Sequence, residues 1–160
     1  MRRMYSLNQL QEIALKKIES TTSLKVFENI VDKDGHKRFI EGEITTYPYT
    51  DVSYSYAKWA LSGSHLIIVV AMTFAPKEWT YAVIAEVNLP QWIKDKLIPF
   101  FSSASIDVKS VVFYDSSYAT KNPIAFLVKD GNTIKIALNT ITFTSTSNGR
   151  IEFDLLIDNE

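Results

Sequence analysis

Few side chains in this sequence have the types and spacing that chemistry needs. His36 lies in Asp34-Gly35-His36-Lys37-Arg38, and His65 opens an apolar run. Neither belongs to a His-x-x-x-His pair or to an acidic cluster with ligand spacing. Metal sites need several converging ligands. His36 therefore reads as a solvated turn residue and His65 as a hydrogen-bonding group at a strand end. Asp32 and Asp34 could feed a loop Ca²⁺ site, but the full Asp-x-Asp-x-Asp-Gly pattern with its distal Glu is missing. Glu41 and Glu43 flank Gly42. Paired carboxylates at a suitable separation hydrolyse glycosidic bonds, so a small glycan hydrolase is one reading. A solvent-facing row on a strand gives the same spacing and is the favoured reading. No Gly-rich phosphate loop and no Gly-x-Ser-x-Gly occurs. The expectation is a protein that is not an enzyme and carries no metal or cofactor.

Aromatic residues say more. Tyr47, Tyr49, Tyr54, Tyr56, Trp59, Trp79 and Tyr81 are concentrated in one third of the chain. Such rows stack on sugars, anchor protein interfaces, or pack across strands in a core. Tyr47 and Tyr49, beside Pro48, are the candidates for ligand contact. Trp59 and Trp92 are assigned to the core or an interface. Arg and Lys are not interleaved around Tyr47 and Tyr49, as single-stranded nucleic acid would require. The 17 basic and 18 acidic residues give a net charge of −1, which also argues against nonspecific nucleic-acid binding. The absence of cysteine excludes disulfides and thiol chemistry. The apolar run from Leu66 to Met72 is far too short to cross a membrane, and no apolar stretch follows Met1-Arg2-Arg3-Met4 as a signal peptide requires.

These residues need elements to position them. Ser6-Leu7-Asn8-Gln9 fits a capping box, with Tyr5 and Leu10 placed for a hydrophobic staple. Leu7, Leu10, Ile13, Ala14 and Ile18 then share one helical stripe. Two readings fit this helix: packing on its own domain, or attachment and self-association. After Thr21-Thr22-Ser23 the pattern becomes strand-like. Expected strands cover Leu24–Val31, Arg38–Thr45, Val52–Leu61, His65–Phe74, Trp79–Leu89, Ile106–Tyr114, Pro123–Lys129, Thr133–Thr140, Ile141–Thr144 and Arg150–Ile157. Turns fall at Asp32-Lys33-Asp34-Gly35, Ser62-Gly63-Ser64, Asp130-Gly131-Asn132 and Ser147-Asn148-Gly149. The almost wholly apolar His65–Phe74 should be a central strand buried on both faces. Pro90 fits position N1 of a short helix ending at Leu97, with Trp92, Ile93 and Leu97 as its buried face. The short strands at regular spacing, without a βαβ rhythm, predict an antiparallel β-sandwich or jelly roll with an N-terminal α-helix and one short helical insert. Residues 1–22 form the expected docking helix and 23–160 the β-sandwich domain.

The leading segment Tyr5–Ile13 followed by a β body resembles small bacteriophage virion proteins: head-fibre, tail-fibre-tip and baseplate-associated domains. Val87-Asn88-Leu89-Pro90-Gln91-Trp92-Ile93-Lys94-Asp95-Lys96-Leu97 resembles a segment of such trimeric fibre domains, as does the near-terminal strand Arg150–Ile157. The resemblance implies a virion location, a homotrimer, attachment to other virion proteins through the N-terminal helix, and no cofactor. It also implies host attachment, for which a host surface glycan is a partner class, with no membrane insertion. The rival readings are a carbohydrate-binding module and the hydrolase on Glu41 or Glu43.

Overall fold

A computed structural model describes residues 29–101, 105–107, 110–114, 125–139, 141–143 and 145–158. The expected N-terminal helix, with Leu7, Leu10, Ile13, Ala14 and Ile18, lies outside the described residues. The chain divides into two compact units, Met1–Ile40 and Glu41–Glu160.

In the first unit the expected turn is present. Asp32 N–H donates to the His36 carbonyl at 2.9 Å and Gly35 N–H to the Asp32 carbonyl at 3.1 Å. The expected strand Leu24–Val31 does not reach its predicted end. Residues 29–31 carry only an isolated bridge, Val31 opposite Lys37. Ile30 and Val31 are exposed, so no burial rewards extending the pairing.

The second unit is mainly β. Among the described residues the strands are β1 (Phe39–Thr46), which begins two residues before the division, β2 (Val52–Ser62), β3 (His65–Phe74), β4 (Lys77–Trp79), β5 (Ala82–Val87), β6 (Ser105–Asp107), β7 (Ser110–Tyr114), β8 (Ala125–Asp130), β9 (Thr133–Leu138), β10 (Ile141–Phe143) and β11 (Ser147–Leu156), with an α-helix, α1 (Gln91–Leu97), between β5 and β6. Nine strands form one sheet in the order β6-β8-β9-β5-β1-β2-β3-β11-β7, and β4 and β10 form a separate ribbon. Every pairing with a defined register is antiparallel. The β1–β2 link of five residues is too short for a parallel crossover.

The sheet order has a geometric consequence. β6 and β7 occupy opposite edges, yet only two residues separate Asp107 from Ser110. Three Cα–Cα steps span at most about 11 Å. The sheet must therefore curl until its edges are neighbours. Antiparallel alternation around the sheet gives β6 and β7 the same direction. The curled sheet surrounds one apolar core. Leu66, Ile68, Met72 and Phe74 of β3 are buried in that core, as are Ile151 and Phe153 of β11, Trp59 and Leu61 of β2, and Leu127, Ile134 and Ile136 of β8 and β9.

Irregularities correct the strict alternation expected from sequence. Val52 before Ser55 and Trp59 after it are both buried although their parity differs. A bulge between Tyr54 and Tyr56 opposite β3 switches the phase. Expected strand Trp79–Leu89 splits, because Trp79 belongs to the ribbon and only Ala82–Val87 joins the sheet. β3 is fully buried on one face, but Ile67, Ala71 and Thr73 on the other remain half-exposed. Ser147-Asn148-Gly149 is not a hairpin turn. These residues open β11, where Gly149 lies opposite Met72 on one side and Phe113 on the other. Two-sided pairing overrides the local turn preference.

α1 follows the expected segment, with Pro90 as N-cap rather than N1, at φ −64° and ψ 154°. Pro99 does not end the helical path; it lies inside a 3-10 turn, Ile98–Phe100. Ile93 and Leu97 are fully buried. Trp92, expected to be buried with them, is only half-buried. Residues 93 and 97 share a face at i, i+4, whereas Trp92 is rotated about 100° away.

Candidate functional site

Three places gather side chains with chemical capacity. The first is an aromatic cap where β3 ends and β11 begins. Ala75-Pro76 interrupts β3, and the chain resumes in β4, which pairs with β10 from Trp79↔Ile141 to Lys77↔Phe143. The ribbon lays Phe143 on Phe74 in a stacked pair, centroids 4.4 Å apart at 11°. Trp79 meets Phe74 edge-on at 5.8 Å and Tyr49 at 5.1 Å. Lys77 Nζ lies 4.8 Å over the Trp79 ring and 2.8 Å from Asp51 Oδ2. Trp79 Nε1 is buried and has no hydrogen-bond partner among the described residues.

Tyr47 and Tyr49, the expected ligand contacts, are held at this end by the fold. The Tyr49 hydroxyl donates to the Val83 carbonyl at 2.7 Å. Tyr47 N–H donates to the Ile84 carbonyl at 2.8 Å, and the Tyr54 hydroxyl reaches the same carbonyl at 3.2 Å. Ile84 is the extra residue of a bulge between β5 and β9, which removes it from regular pairing. Burial, with the Tyr49 phenol adding to it, pushes the Tyr54 hydroxyl up to about 12. Both tyrosines expected at the ligand are half-buried; the more exposed described tyrosines are Tyr56 and Tyr81.

The second place is the Asp32 turn, within the first unit. Asp32 Oδ1 accepts the backbone N–H groups of Asp34 and His36, each at 2.9 Å. Its Oδ2 lies 3.1 Å from His36 Nδ1 and 3.3 Å from Arg38 Nη2. Burial pushes the Asp32 carboxyl up. Hydrogen bonds from His36 backbone and ring and from Asp34 N–H outweigh that and hold it below the ordinary aspartate value. Asp32, Asp34 and His36 bring ligand-type atoms within 4.8 Å of one another. Both oxygens of Asp32 already accept turn-forming donors, and Arg38 adds positive charge beside them. This is the bonding of an Asx turn.

The third place was not flagged in the sequence. α1 and the β8–β9 turn border a cleft of about 110 Å³. Gly131 allows that turn by adopting φ +60° between Asp130 and Asn132. Asn132 Nδ2 donates to Gln91 Oε1 at 2.8 Å, and Gln91 Nε2 donates to Asp95 Oδ1 at 2.9 Å. Lys94 and Lys129 also line the cleft, and Ile98 supplies an apolar wall. The turn Asp130-Gly131-Asn132 and the short helix were each legible separately. Their adjacency follows from strand order, which no local signal carries.

The remaining expected chemistry is dispersed. Glu41 and Glu43 are exposed on β1, and Glu43 lies 3.9 Å from Lys58. His65 Nδ1 lies 3.0 Å from Asp154 Oδ1, the strand-end hydrogen bond expected of it. No family model, curated protein or solved structure matches the chain. No described helix is long and apolar enough to cross a membrane.

Proposed function

We propose that this chain is a non-enzymatic virion structural protein of the bacteriophage fibre or decoration type. It is anchored through its N-terminal helix as a homotrimer and presents its β body for host attachment. The observation that supports the reading is the division of the chain at Ile40. The second unit carries its own apolar core and its own capping elements, as a displayed module needs. Three ion pairs of this unit lie apart from one another along its strands: Glu43 with Lys58, His65 with Asp154, Lys77 with Asp51.

The test is a variant lacking residues 1–22. It should fold, with an unchanged β signature by circular dichroism, and fail to co-sediment with assembled particles. A truncated chain that cannot fold, or one that still incorporates, overturns the reading. The carbohydrate-binding module remains a second reading, favoured by the exposure of Tyr56 and Tyr81. It expects both tyrosines to be protected by a neutral glycan and the full chain to be a monomer.

A further inference from the structure

We propose that the cleft between α1 and the β8–β9 turn binds an acidic sugar residue, with the carboxylate between Lys94 and Lys129 and ring hydroxyls on Asp95 and Asn132. This rests on the host-attachment reading and names the ligand class that such a body would meet. The hydrogen-bond relay is the starting point. One N–H of Asn132 Nδ2 and one of Gln91 Nε2 are used within it, at 2.8 and 2.9 Å. Each amide keeps a second N–H, and Asn132 Oδ1 and the second oxygen of Asp95 keep acceptor capacity. The charged donors at the cleft are ammonium groups. Lys135 is taken by Asp130 at 2.8 Å. That hydrogen bond and its charge hold the Asp130 carboxyl below its ordinary value. The ammonium groups of Lys94 and Lys129, by contrast, make no ion pair or hydrogen bond among the described residues.

Two ammonium groups against one carboxylate leave the cleft net positive, so an anion is favoured. A bare anion would leave Asp95 and Asn132 without donors. A sugar carboxylate with neighbouring hydroxyls satisfies both sets at once, since hydroxyls donate as well as accept. The volume of about 110 Å³ admits one edge of a pyranose, and the rest of a glycan chain can extend into solvent. Ile98 offers an apolar wall for ring carbons. The cleft is preformed, because α1 is fixed by buried Ile93 and Leu97 and by Lys96 Nζ at 3.4 Å from Asp158.

The test is NMR titration of the full chain with glucuronate, glucose and acetate, read on the side-chain amide signals of Gln91 and Asn132. Glucuronate should give saturable shifts, weakening as salt is raised. Glucose and acetate should each bind about tenfold more weakly, and the double variant Lys94→Gln/Lys129→Gln should lose about tenfold for glucuronate with an unchanged melting temperature. Absence of saturable shifts, equal binding of acetate, or full binding by the double variant each overturns the proposal. These outcomes are independent of particle incorporation. A cleft that fails while the 1–22 deletion abolishes incorporation sinks only the ligand class. A cleft that binds in a protein absent from particles sinks the virion reading instead.

Discussion

Gly42 and Tyr54 show how single residues are held by the curled sheet. A Cβ on Gly42 would stand 2.5 Å from Trp59 Cε2 and 2.6 Å from its Nε1. The indole cannot retreat easily, because it is buried and its Nε1–H donates to the Asn88 carbonyl at 2.9 Å. Gly42→Ala should therefore destabilise by about 1–3 kcal/mol, the usual cost of overpacking, measured by urea unfolding. Tyr54 makes a pH prediction. Its folded value is raised from 10 to about 12. A raised value means that its contribution is fully present below pH 10, the unfolded value, and is lost as pH rises through 12. Alkaline unfolding should become shallower across that window in Tyr54→Phe, as followed by tyrosinate absorbance and circular dichroism together. A Tyr54→Phe curve parallel to the wild type would show that burial of this phenol is not what limits alkaline stability.

At the scale of elements, α1 is too short to be stable alone. Its existence depends on what it buries. Ile93 and Leu97 are fully buried and Trp92 is not. Ile93→Ala should cost about 2–5 kcal/mol, as for other core truncations. Trp92→Ala should cost clearly less, although tryptophan is the larger residue. Chemical denaturation of the two variants side by side checks the order. The reverse order would mean that the helix is anchored through its indole. The β4–β10 ribbon poses a similar dependence. Three residues a side make no independently stable strand pair, so its place rests on Trp79 and Phe143 against Phe74.

For the whole molecule, the decisive measurement is the mass in solution. The proposed fibre-type role expects a trimer at micromolar concentration by light scattering, and a stable monomer would count heavily against it. The curled sheet makes a second expectation at this scale. β3 pairs with β11 from Phe74↔Ser147 to His65↔Leu156, joining segments far apart in sequence. Such non-local pairing is slow to form. Refolding should therefore fall in the range of milliseconds to seconds typical of all-β domains, measured by stopped-flow fluorescence of the tryptophans. Refolding in microseconds would contradict closure through long-range pairs.

The sequence by itself determined the β character of the body, most strand locations, the short helix after Pro90 and three of the four glycine turns. Those features are written in local periodicity and turn chemistry. It also determined that His65 ends a strand with a hydrogen bond to make. Tertiary structure decided the rest. Ser147-Asn148-Gly149 has the composition of a turn but becomes strand, because β3 and β7 supply partners on both sides. Tyr49 looks like a loop aromatic but spends its hydroxyl on Val83, a contact set by where β5 falls beside β1. Expected strand Ile106–Tyr114 splits into two edges of one sheet, which local pattern cannot specify. The cleft of Gln91, Asp95 and Asn132 exists only because the turn after β8 arrives beside α1. Register and strand order are set by summed burial over the whole sheet, and no window of sequence contains that sum.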